Sequence, residues 1–128
     1  MNIKFKDFIS IRDTLTTLQQ LSRVKLRTAY EISRFITTTE HNFQFYIDKL
    51  NEYLQKYGEK NEAGELLIEN NSYIIKKEYL EECNKALEEL DNLEIEIREP
   101  KIWIDDFENT YINVSILNPI IPFIVEYN

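Results

Sequence analysis

Residues 25–57 read KLRTAYEISRFITTTEHNFQFYIDKLNEYLQKY, a run without Gly or Pro. Ala29, Ile36, Phe43, Leu50 and Tyr57 recur every seven residues. Ile32, Tyr46 and Tyr53 follow a member of that set by three, and Ile47 and Leu54 follow by four. At about 100° per residue these positions share one arc, which predicts a long amphipathic helix. It would measure about 50 Å at 1.5 Å per residue, too long for a protein of this size to cover on all sides. Either it bends, or part of its stripe packs on another protomer.

Gly58 follows directly and is expected to end the helix in the left-handed conformation that glycine adopts cheaply. Downstream, LLIENNSYII (Leu66–Ile75) sets two apolar runs around Asn70-Asn71, and Asn tolerates positive φ. That pattern predicts a small β-hairpin. A second helix is expected over about Lys77–Asn92. Tyr79, Leu80, Cys83, Ala86, Leu87 and Leu90 form its apolar face, and Glu78, Glu81, Lys85, Glu88 and Glu89 cover the other side. It is expected to pack antiparallel on the first.

Upstream, Asn2–Lys6 alternates as a strand with Ile3 and Phe5 on one face. Ser10 then offers an N-cap to a short helix carrying Ile11, Leu15, Leu18 and Leu21. Glu94–Arg98 also alternates, with Ile95 and Ile97 inward, so Lys4 and Lys6 are expected to face Glu94 and Glu96 across an antiparallel pair. Lys101–Ile104 resumes the alternation after Pro100. Asp105 and Asp106 suit the first turn of a short helix. The apolar tail Ile112–Val125, interrupted by Pro119 and Pro122, is expected to cover the core in irregular or short helical turns. The expected fold is α+β, mostly α, in a single domain over 1–128. It comprises an antiparallel helical hairpin of one long and one shorter helix, a small β-hairpin at its tip, and a small antiparallel sheet from the N-terminal and post-hairpin strands.

The 128 residues are 43% hydrophobic and 12% aromatic, enough for one folded core despite a formal charge of −8. Charge is uneven: residues 1–57 carry a net +3 and residues 58–128 a net −11. Overall acidity argues against direct nucleic-acid binding, which relies on Lys and Arg displacing counterions. One Cys and one His exclude an internal disulfide framework and a nitrogen–sulfur zinc site. No apolar run approaches the roughly 18 residues of a membrane span, and MNIKFKDFIS lacks the apolar stretch of a signal peptide. No membrane partner and a cytoplasmic location are expected.

Catalytic motifs are missing from the sequence. Gly58 and Gly64 have no phosphate-loop context, and His41 has no nucleophile at a recognisable spacing. The adjacent carboxylates Glu81-Glu82 and Glu88-Glu89 diverge by about 100° on a helix, and no EF-hand spacing occurs. Neither an enzyme nor a cofactor or metal site is expected. Cys83 reads as a small buried hydrophobe.

Interaction is the remaining class. On the long helix Arg27, Arg34, His41 and Phe45 fall within about 40° of one another, opposite the apolar stripe, with Lys49 flanking. This is either a solvated charged face with one stray aromatic, or a surface for an acidic protein face, a phosphate-rich ligand or RNA, of which protein contact, with the acidic second half of another copy in a homo-oligomer, is the leading version. Trp103 lies outward if Ile102 and Ile104 face the core, or is buried under Ile120, Ile121 and Phe123.

The segments VKLRTAYEISRF, KYGEKNEAGE, LEEL with LEIEI, and IWIDDFE resemble small phage and prophage proteins of low-GC bacteria, over about Leu21–Phe107. The resemblance implies a phage-encoded protein in a bacterial host and carries no catalytic residues. The leading expectation is a non-enzymatic interaction or assembly protein that binds stoichiometrically and self-associates. The alternative is an acidic inhibitor of a host defence or nucleic-acid enzyme, with Glu81, Glu88, Glu89 and Asp91 imitating phosphates.

Overall fold

The computed structural model describes residues 1–21, 23–108 and 114–125, which are mostly helical with small two-stranded antiparallel sheets. The single domain expected from length is organised as two compact units, Met1–His41 with Glu94–Asn128, and Asn42–Leu93.

In the first unit, β1 (Asn2–Lys4) runs directly into α1 (Phe5–Leu21). The strand is shorter than expected and the helix starts earlier. Phe5, Phe8, Ile11, Leu15 and Leu18 recur at steps of three and four and are all buried, and this helical period overrides the short alternation of Asn2–Lys6. Ser10 is no cap. It lies inside the helix, where its Oγ donates to the Lys6 carbonyl at 3.1 Å. β1 pairs antiparallel with β5 (Glu94–Glu96), setting Lys4 opposite Glu94 as expected. Glu96 faces Asn2 rather than Lys6, because Lys6 is already helical.

β2 (Arg23–Val24) precedes α2 (Leu26–Thr38), which buries Thr28, Glu31, Ile32 and Phe35. α2 ends at Thr39, where the long helix expected over 25–57 is interrupted. Thr37, Thr38 and Thr39 are β-branched, and the hydroxyls of Thr38 and Thr39 compete for helix carbonyls. Thr38 Oγ1 donates to Arg34 O at 2.8 Å, and Thr39 Oγ1 donates to Phe35 O at 2.6 Å. Thr39 leaves helical geometry with φ −107 and ψ 10, and α3 (Glu40–Tyr57) begins immediately after.

The strand expected over Lys101–Ile104 is a single parallel bridge from Ile102 to Ile124, since Ile104–Asp106 forms a 3-10 turn. β6 (Phe107–Glu108) then pairs antiparallel with β2. After α5 (Val114–Leu117), the 3-10 turns of Asn118–Phe123 bury Ile120 and Phe123, as expected of the tail. Positions 112 and 113 of that tail lie outside the described residues.

The second unit contains most of α3, β3 (Ile68–Glu69), β4 (Ser72–Tyr73) and α4 (Leu80–Asn92). The β-hairpin is present, with Asn70 at φ 52 and Asn71 at φ 64 between paired strands, the signature of a type I′ turn. Gly58 ends α3 for a reason other than the one expected. Its φ is not positive; a Cβ there would meet Leu54 O at 2.5 Å and the Leu66 side chain at 2.7 Å. Glycine is required by close approach of the chain. Along α3, Tyr46 Oη in its first half donates to Asp91 Oδ1 at 2.7 Å, and at its C-terminal end the Tyr57 and Tyr79 rings lie 5.8 Å apart.

Candidate interaction site

Phe45, Lys49 and Tyr53 recur every four residues on α3 and therefore share a strip of its surface. Opposite them, Glu89, Leu90 and Leu93 come from the end of α4. Together they line an open groove of about 250 Å³. Leu90 is its buried floor, while Phe45 is 44% and Leu93 48% exposed. Lys49 sits on the wall, its Nζ 5.8 Å from the Phe45 ring centroid and 3.1 Å from Glu52 Oε2. The Tyr46–Asp91 hydrogen bond ties the two helices together one position away on each side. Three residues singled out from sequence, Phe45, Lys49 and Glu89, thus meet in one place.

Glu81 and Glu88 are exposed on α4, whose five carboxylates are accompanied by one Lys. His41 is exposed at the first turn of α3. Cys83 is buried as expected, and burial pushes its thiol pKa up.

Arg27, Arg34 and Trp103 belong to the first unit. Because the helix is interrupted at Thr39, the angular spacing from Arg27 and Arg34 to Phe45 and Lys49 does not carry across the break. Arg34 Nη2 lies 2.7 Å from Glu31 Oε2. Arg27 grips Asp106 in a two-pronged contact, Nε to Oδ2 at 2.7 Å and Nη2 to Oδ1 at 3.0 Å. Thr28 Oγ1 donates to the same Oδ2 at 2.6 Å, and accepts the Trp103 backbone N–H at 3.3 Å. Asp105 and Asp106 fall in the first turn of a short 3-10 helix, Ile104–Asp106, as expected, and Asp106 is in addition buried, 2% exposed. The Arg27 hydrogen bonds foremost, then Thr28, hold its carboxyl below the usual range against the opposing effect of burial. Trp103 is half-buried, with the Arg27 guanidinium 4.4 Å from its ring centroid.

Sequence reasoning missed Leu26 and Tyr30, which are 85% and 63% exposed at the start of α2. Their position off the apolar stripe was the available signal. It also missed Asp106, which has no local signature because its partners are 79 and 78 residues away.

Among the described residues no helix is long and apolar enough to cross a membrane, and no three His, Cys, Asp or Glu side chains gather as metal ligands. Comparison with protein-family models, curated proteins and solved structures finds no match for the chain.

Proposed function

We propose that this chain is a non-enzymatic interaction protein that acts by stoichiometric binding and self-association. One observation carries the reading: α3 keeps its apolar stripe half open. Phe43, Tyr46, Ile47, Leu50, Tyr53 and Leu54 are all only half-buried, and Tyr57 alone on α3 is buried. By contrast, α1 buries six residues of comparable spacing. The Tyr46–Asp91 contact in the first half of α3 and the Tyr57–Tyr79 contact at its C-terminal end favour reading α3 and α4 as an antiparallel helical hairpin. Two helices contacting along one seam leave the flanks of that seam in water, and a protein partner removes them from it. Phage origin and action in the host cytoplasm form part of the proposal and rest on the sequence resemblance alone.

Phe45→Glu tests the reading, since it places a charge in the groove at an exposed position. The expected outcome is a lower association state with unchanged helicity by circular dichroism. Unchanged mass in that variant contradicts it.

The exposed carboxylates of α4 favour a second reading, an acidic inhibitor that imitates nucleic acid before a host defence or nucleic-acid enzyme. A complex of that kind weakens steeply with ionic strength, because exposed charges are screened beyond about 8–10 Å near 0.1–0.15 M salt.

A further inference from the structure

Within the first unit, β1, the first turns of α1 and the 3-10 turns of Asn118–Phe123 enclose a cleft of about 440 Å³. Its floor is the edge of the core, since Ile3, Ile11 and Phe123 line it and all three are buried. Pro119 and Pro122 add rigid rings with no backbone N–H to donate. Small-molecule sites are hollows of roughly 300–1,000 Å³, mostly apolar with a few placed polar groups, and the cleft fits that description.

The polar groups of the cleft are chiefly acceptors. Asp7 and Ser10 stand three residues apart on α1 and therefore share a strip of its surface. Asp7 is exposed and has no ion pair among the described residues. The Ser10 hydroxyl donates to the Lys6 carbonyl at 3.1 Å, which leaves its oxygen lone pairs to accept. Among the described residues no Lys, Arg or His side chain lines the cleft. The Met1 ammonium reaches it but donates at 3.1 Å to the Ile97 carbonyl, which is not part of the lining. A carboxylate beside an apolar floor, without a side-chain counter-charge, suits a cation that carries its own apolar body.

We infer that this cleft binds a small organic cation, a primary ammonium on an apolar body such as a short arylalkyl chain. The ammonium donates to the Asp7 carboxylate and to the Ser10 hydroxyl oxygen. The apolar body lies on Ile3, Ile11 and Phe123 against the two proline rings. The charge-assisted hydrogen bond fixes orientation, and removal of the apolar body from water adds affinity. The cleft is built wholly from the first unit and does not depend on self-association, so either property can fail without the other.

Phenethylammonium is the probe, with phenethyl alcohol as its uncharged counterpart and hydrocinnamate as an anion of similar shape. Each is titrated into the isotopically labelled full chain and followed by amide chemical shifts. Phenethylammonium is expected to bind saturably, with the largest shifts at Asp7, Ser10, Ile11 and Phe123. The alcohol is expected to bind about tenfold more weakly, equivalent to about 1.4 kcal/mol, and hydrocinnamate to show no saturation. Asp7→Asn is expected to abolish the preference for the ammonium over the alcohol. Asp7 is exposed, so the substitution spares the core. Pro122→Lys, at another exposed position, sets a competing ammonium beside the cleft. It is expected to weaken phenethylammonium and spare the alcohol, and it reads the same site should Asp7→Asn lose helicity by circular dichroism. Shifts that do not saturate, shifts centred elsewhere, equal binding of ammonium and alcohol, or a preference that survives in folded Asp7→Asn overturn the inference.

Discussion

The Arg27 guanidinium and the Asp106 carboxylate form a two-pronged ion pair at 2.7 and 3.0 Å, joining the first turn of α2 to a residue 79 positions later in the chain. Around it, β2 pairs with β6, and the Lys25 N–H donates to the Asp106 carbonyl at 2.9 Å. Asp106 is thus held by both its side chain and its backbone, and it fixes where α2 begins in the first unit.

Removing the cation should be worse than neutralising the acid. Arg27→Ala leaves a buried carboxylate short of its counter-charge and is expected to cost about 3 kcal/mol. That is the low end for a broken buried pair, since the Arg27 side chain is 49% exposed and water partly replaces it. Asp106→Asn keeps shape and some hydrogen bonding and is expected to cost about 1–3 kcal/mol. Urea unfolding midpoints order the two variants.

Stability should also fall on the acid side. The folded-state pKa of Asp106 is depressed, so the unfolded chain binds its proton more readily and stability rises with pH across the window. The contribution is complete above the ordinary carboxylate pKa of about 3.9, and is lost as pH falls from there through the lower folded value. Unfolding curves from pH 7 downward should show the unmodified chain and Asp106→Asn converging in acid. A constant gap between them contradicts the assignment.

Gly58→Ala should destabilise the second unit by about 1–3 kcal/mol, the usual cost of forcing extra atoms into a packed place. Both close neighbours of the added Cβ are specific, the Leu54 carbonyl at 2.5 Å and the Leu66 side chain at 2.7 Å. Trimming Leu66 to Ala in the same chain should recover part of the loss, whereas the Leu54 carbonyl cannot be removed. Thermal melts of the single and double variants measure it.

Cys83 should resist thiol reagents in the folded protein. It is 2% exposed, and its raised pKa lowers the thiolate fraction at neutral pH. Labelling by an aromatic disulfide reagent is expected to be slow in buffer and prompt in denaturant. Rapid labelling in buffer contradicts the burial.

Several features were legible from local pattern. The Asn70-Asn71 turn, the Lys4–Glu94 register and the burial of Cys83 all follow from short-range spacing or turn chemistry, whereas the meeting of Phe45 and Lys49 with Glu89 in one groove does not. The misreadings share a cause, which is competition that spacing does not reveal. Phe5 fits both a strand alternation and a helical period, and Phe8 decides for the helix only once packing against Phe35 at 5.9 Å is known. Thr37–Thr39 interrupts no apolar period, so the break appears only when the hydroxyls are seen bonding to Arg34 and Phe35. Asp106 finds its partners through tertiary contact, beyond the reach of any sequence window.

Self-association driven by apolar surface is tested most directly by solution mass measured against concentration at about 0.1 M and about 1 M salt. A dimer or larger species at both salts is the expected result, since salt screens charges and leaves the burial of the half-open apolar stripe of α3 in place. A monomer at both salts contradicts self-association and leaves the acidic face of α4 as the surface to pursue.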